Sequence, residues 1–195
     1  MKRLKLLASE LVLGTLVAVL SVLVAVSAYQ SSMSDSDQTK YNVQGQQKLT
    51  DANAEYLSAN QMVVYDFTMY DGWFTADDDE KATYYKQSFS PELQAAIATN
   101  AEDPFSEAYH TAMQAEPQKM FDEAGQRFEL AEKFNERGDA LQLILLVSAL
   151  GLALAAWAAL LKQDSWMRVA FASFAIVMLV YSGFLYLGVP AVAAA

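Results

Sequence analysis

The sequence contains no cysteine, which excludes disulfides, thiolate nucleophiles and cysteine-ligated metal sites in any compartment. Histidine occurs once, at His110. Without a second His or a Cys it has no set of ligands for zinc, and it reads as a surface or interface residue. Sustained β-branched alternation is missing, and so are a phosphate-binding glycine loop, a nucleophile–base pair, a haem motif and a dinucleotide fingerprint. No enzymatic activity and no cofactor are expected. Basic residues are also scarce, 13 Lys and Arg against 23 Asp and Glu.

Apolar residues are what the chain has in excess. They make up 54% of its 195 residues, above the roughly 45–50% of a soluble domain. The excess falls in three runs, Leu6 to Ala28, Ala140 to Leu161 and Val169 to Val189. Each is about 20 residues or slightly longer, enough to cross a hydrocarbon core of roughly 30 Å as a helix. Lipid offers the backbone no hydrogen-bond partners, so a helix is the default solution for each run. The first run follows a basic start, Met1-Lys2-Arg3-Leu4-Lys5, and ends on Val26-Ser27-Ala28, which loosely resembles a signal cleavage site. Its apolar stretch exceeds the roughly 7–15 residues of a signal h-region, so an uncleaved anchor is the expectation.

Charge partition sets the expected orientation. Lys2, Arg3 and Lys5 precede the first span, and Lys162 and Arg168 flank the turn between the second and third. Basic flanks stay in the cytoplasm. The expected map is therefore a cytoplasmic N-terminus and first span over 1–28, an extracytoplasmic segment over 29–139, a second span over 140–161, a cytoplasmic turn over 162–168, a third span over 169–189, and an outer tail over 190–195. The exported segment holds 21 of the acidic residues and eight of the basic ones, a net charge of −13. Such a surface repels nucleic acid and anionic headgroups, and nucleic-acid binding is excluded.

Within that segment, Tyr29 to Lys40 is rich in Ser, Gln and Asp and reads either as a linker or as helix leaving the membrane. From Leu49 a stripe appears: Leu49, Ala52, Tyr56, Ala59, Val63, Phe67, Tyr70 and Phe74 recur every three or four residues, close to a coiled-coil seam. Gly72 and the acidic run Asp77-Asp78-Asp79-Glu80 are expected to end this helix, with Asp77 and Glu80 forming a capping box for the next. Ser90-Pro91 and Asp103-Pro104 mark two further helix starts, and Pro117 starts or kinks the last helix. Along that helix Phe121, Ala124, Phe128, Ala131 and Phe134 keep one apolar face. The expected fold is all-α: three spans and a helical hairpin or bundle, with a long ascending and a long descending helix packed antiparallel. So narrow a stripe buries little in one hairpin, which points to a bundle between subunits.

Candidate sites each have a plain alternative. Asp77, Asp78, Asp79 and Glu80 are weak candidates for a hard cation, but the spacing is not that of an EF-hand, and a solvated capping turn explains them. Glu10 is the one ionisable residue well inside an expected span, where carboxylates mark ion or proton routes. It lies about two turns from the cytoplasmic end, where snorkelling or pairing with Lys5 also accounts for it. Gly151, Ala155 and Ala159 form a small-residue ridge for close helix packing. The aromatics Tyr65, Phe67, Tyr70, Trp73, Phe74, Tyr84, Tyr85 and Phe89 read first as a mini-core, then as a partner-docking surface.

The order of one span, helical insert and two spans, with Ala52-Asn53-Ala54-Glu55-Tyr56, Met62-Val63-Val64-Tyr65 and Gly125-Gln126-Arg127-Phe128, resembles an uncharacterised family of small bacterial membrane proteins. That resemblance implies a bacterial-type inner membrane and no known activity. The layout also looks like the periplasmic sensor part of chemoreceptors, but no signalling module follows. A non-enzymatic scaffold or accessory subunit is expected, in the lipid bilayer, assembling with itself or with a membrane-complex partner. The alternatives are an oligomeric cation channel or transporter with an acidic outer vestibule, and a sensor acting through a partner.

Overall fold

The computed structural model describes residues 8–192. Lys2, Arg3 and Lys5, and the last three residues of the expected outer tail, lie outside the described residues. The described residues are mostly helical, with no strand among them. Among the described residues five helices follow in order: α1 Glu10–Phe74, α2 Asp79–Gln87, α3 Pro91–Thr99, α4 Glu107–Leu160 and α5 Trp166–Leu187. Three of them, α1, α4 and α5, contain stretches long and apolar enough to cross a membrane.

The first of these is 65 residues long and settles the ambiguity over Tyr29 to Lys40, which is helix rather than linker. No proline precedes Pro91, so nothing removes a backbone donor along its length. Two compact units result, Met1–Tyr41 with Glu129–Ala195, and Asn42–Phe128. The second, here called the inserted unit, is narrower than the expected 29–139 segment, because residues on both sides of it pack with the apolar helices.

In the apolar unit, α1 and α4 run antiparallel: Ser31 Oγ donates to Gly138 O at 3.4 Å and Gln38 Nε2 to Asn135 Oδ1 at 3.0 Å. Tyr41 stacks on Phe134 with centroids 5.4 Å apart. Small residues fill the contact with α5. Ala8, Leu13, Ala158 and Ala172 form one buried cluster, and Leu16, Leu20, Ala155 and Ala175 form the next. A Cβ on Gly151 would lie 2.9 Å from Met178 Cβ and 3.3 Å from Leu20 Cδ2, so this glycine lets three helices meet at one level. The expected ridge needs one correction: Ala159 is exposed and Ala158 is buried in its place. The helix turns about 100° per residue, so the α5-facing line steps Gly151, Ala155, Ala158.

The inserted unit is a hairpin of α1 and α4 covered by α2 and α3. Its register is antiparallel as well, with Gly45 against Phe128, an ion pair from Lys48 to Glu123, Tyr56 edge-on to Phe121 and Gln114 donating to Asn60. Ala52 and Ala59 are buried at this seam. Phe89, Leu93, Tyr109 and Met113 form the core beneath α3, joined by Val63, Tyr70, Trp73 and Phe105.

Helix starts differ in detail from expectation. Asp78, not Asp77, caps α2, its Oδ1 accepting from Lys81 N at 2.8 Å. Ser90 caps α3 with Pro91 behind it as expected. Asp103-Pro104 opens a turn instead of a helix, since α4 begins at Glu107, and Pro117 lies inside α4 rather than at its start.

Candidate functional site

The most developed polar arrangement lies inside the inserted unit, at Asp66. This carboxylate has no exposed surface. Its Oδ1 accepts from Ser90 N at 2.9 Å, and its Oδ2 accepts from Ser90 Oγ and from Tyr109 Oη, the latter at 2.8 Å. Ser90 Oγ in turn accepts from Leu93 N at 3.0 Å, completing the cap of α3. One side chain on α1 thus holds the start of α3 and the first turn of α4. Burial, and then the hydrogen bond to Asp66, push the Tyr109 hydroxyl well above its ordinary value of 10.0, so it stays protonated and remains a donor. Three neutral donors on a buried carboxylate satisfy it as a structural hub. The Ser90 hydroxyl has Asp66 and Leu93 as its partners.

Beside the hub, a shallow groove of about 360 Å³ runs between α3 and the start of α4, lined by Glu92, Ala95, Ala96, Thr99, Tyr109 and Ala112 among others. Its walls are small and mostly apolar, with Glu92 the one charged side chain.

The acidic turn is engaged locally. Lys81 Nζ pairs with Asp77 at 2.6 Å and with Asp78 at 3.4 Å. Hydrogen bonds from Lys81, through its side chain to Asp77 and its backbone to Asp78, hold both carboxyls below the usual range. No cluster of three or more His, Asp or Glu side chains is arranged around a common point among the described residues. His110 is exposed and lies edge-on to Tyr109. Glu10 accepts from Gln163 Nε2 at 3.1 Å, which sets it level with the turn between α4 and α5. The sequence offered Lys5 as its partner; that residue lies outside the described ones.

The sequence matches no protein-family model and no curated protein, and no solved structure matches the chain.

The expected packing stripe is divided by the fold. Val63 and Tyr70 join the core beneath α3, and Leu49 is half-buried. Phe121 meets Tyr56, and Phe128 covers Gly45. Phe67 stacks on Phe105 at 3.9 Å between centroids, yet it remains exposed on its other side, as Tyr56 does. The aromatic crowd is divided too: Tyr70, Trp73 and Phe89 are core, Tyr85 lies over Gly72, and Tyr65, Phe74 and Tyr84 are exposed.

Two roles escaped the sequence reading. Asp66 looked like one acid among many on an exported surface. Its signal was position: it stands seven residues after Ala59 and fourteen after Ala52, on the inward line. Arg168 was read for its charge alone. Its guanidinium is buried and donates to Ala8 O and Leu161 O, both at 2.9 Å, closing off the carbonyl end of α4.

Proposed function

We propose that this chain is a non-enzymatic membrane scaffold or accessory subunit that presents its acidic helical unit outside the cytoplasm and assembles through it. The observation that carries this reading is the set of large apolar side chains left exposed on the inserted unit, among them Leu57, Val64, Phe74 and Tyr84. Leu57 and Val64, seven residues apart, share one face of α1, and exposed apolar side chains grouped on an otherwise acidic unit mark a protein contact. The uninterrupted course of α1 and α4 supports the same reading, because each helix carries the chain from an apolar span into the inserted unit without a linker. The resemblance to small bacterial membrane proteins favours an inner membrane, and the basic residues around positions 2–5 and 162–168 favour the outward placement of the inserted unit.

Native mass spectrometry of the full chain in mild detergent tests the reading. An oligomer or a co-purifying membrane protein is expected. A lone monomer without any partner would refute it.

A further inference from the structure

The scaffold reading leaves open which surface assembles and with what. Of the stripe that the sequence pointed to for assembly, Ala52 and Ala59 are buried within the chain and Leu49, Val63 and Tyr70 are half-buried. Gly45, Ala52, Ala59 and Asp66, seven residues apart, are all buried in the inserted unit. A second seven-residue line runs along the outer side of α1. Val43, Thr50, Leu57 and Val64 are all exposed, the three apolar ones by 51%, 60% and 66%. We propose that this outer face pairs with the same face of a second copy of the chain, as a parallel, in-register coiled coil over residues 43–68. The inference rests on the scaffold reading and gives it a surface and a partner.

Two observations favour a second copy over an unlike partner. The first is charge. The 29–139 segment carries a net charge of −13, so two copies repel one another over most of their surface. In a parallel, in-register pair each seam residue meets its own duplicate, and a charge at any seam position would face itself. None of the four positions above is charged. Nor are the positions three residues beyond them, Gln46, Asn53, Asn60 and Phe67, or those four residues beyond. The charges of this stretch, Lys48, Asp51, Glu55 and Asp66, all fall elsewhere on the helix.

The second observation is the kind of polar residue on the seam. Gln46 and Asn53 are exposed amides, and an amide carries both donor and acceptor, so it can satisfy its own duplicate. Polar amides in a heptad seam fix register and copy number at some cost in stability. Asn60 and Phe67 close the line, though each also contacts its own chain, through Gln114 and Phe105. A seam this polar is weak between free helices. Confinement of two copies in one membrane raises their effective concentration, and their shared orientation there selects the parallel arrangement.

The absence of native cysteine makes single-cysteine crosslinking clean. Under mild oxidation in native membranes, Leu57→Cys and Val64→Cys are expected to give disulfide-linked dimers several-fold more readily than Glu55→Cys and Met62→Cys, which lie on a different side of the helix. Leu57→Glu should convert the oligomer seen by native mass spectrometry to monomer with unchanged helical circular dichroism. Equal crosslinking at all four positions, or an oligomer that survives Leu57→Glu, would overturn the proposed face while leaving the scaffold reading intact. A wild-type chain found only as a lone monomer would defeat both.

Discussion

At the scale of single residues, Asp66 carries the most structure. A buried carboxylate without a cation is costly unless neutral donors satisfy it, and here three do. Asp66→Ala leaves the Ser90 amide and the Tyr109 hydroxyl without their acceptor, in a core that water does not reach. The expected cost is about 3 kcal/mol, read as a lowered midpoint in thermal unfolding of the detergent-solubilised chain. Asp66→Asn keeps an oxygen for Ser90 N and should cost less. Equal stability of all three proteins would mean the hub holds nothing together.

Tyr109 adds a dependence on pH. Burial first, and the Asp66 carboxylate second, raise its pKa above the ordinary 10.0, so the folded chain holds this proton more tightly than the unfolded chain does. The corresponding stability is fully present below about pH 10 and is lost as the pH climbs toward the raised value. Tyr109→Phe should therefore be less stable than wild type at pH 8 by about 1 kcal/mol, and the gap should narrow between pH 10 and pH 11. Unfolding midpoints at the three pH values check this, the difference from wild type cancelling the other tyrosines.

At the scale of helices, close approach in the apolar unit depends on Gly151. A methyl group there meets Met178 Cβ at 2.9 Å, and that atom cannot swing away as a side-chain tip can. Gly151→Leu is expected to destabilise the three-helix packing by roughly 1–3 kcal/mol, measured by denaturant unfolding in mixed micelles. Gly183→Ala meets nothing within 4 Å and should be near neutral. Similar losses for the two variants would mean that the close contact at Gly151 is not what the leucine disturbs, since both substitutions improve helix propensity.

Element identity was legible in the sequence where local chemistry alone decides it. The apolar runs, the Ser90-Pro91 start and the all-helical character follow from hydropathy, capping and the lack of strand patterning. Asp77 and Asp78 are chemically identical neighbours, so only backbone geometry chose the second as the cap. Asp103-Pro104 carries the same local signal as Ser90-Pro91. It opens a turn because Phe105 is drawn into the aromatic core against Phe67, Tyr70 and Tyr109, which delays the helix to Glu107.

At the scale of the whole chain, the proposed topology has three spans with the inserted unit and the 162–168 turn on opposite sides of the membrane, and the positive-inside rule, applied to Lys162 and Arg168, assigns that turn to the cytoplasm. A membrane-impermeant maleimide added to intact cells is expected to label Glu80→Cys and to spare Gln163→Cys until the cells are permeabilised. The reverse pattern would invert the map.

Composition and periodicity by themselves determined the three apolar helices, the acidity of the segment between the first two and the absence of strands among the described residues, because each follows from the preference of a local stretch for oil, water or helix. Tertiary structure alone decided which acid is buried as a hub, which small residues let helices touch, and which of two heptad lines on α1 faces inward. Those outcomes depend on contacts between residues far apart in the chain, such as Asp66 with Ser90 and Tyr109. Helical spacing groups side chains on a face, but it does not say which face another helix will cover.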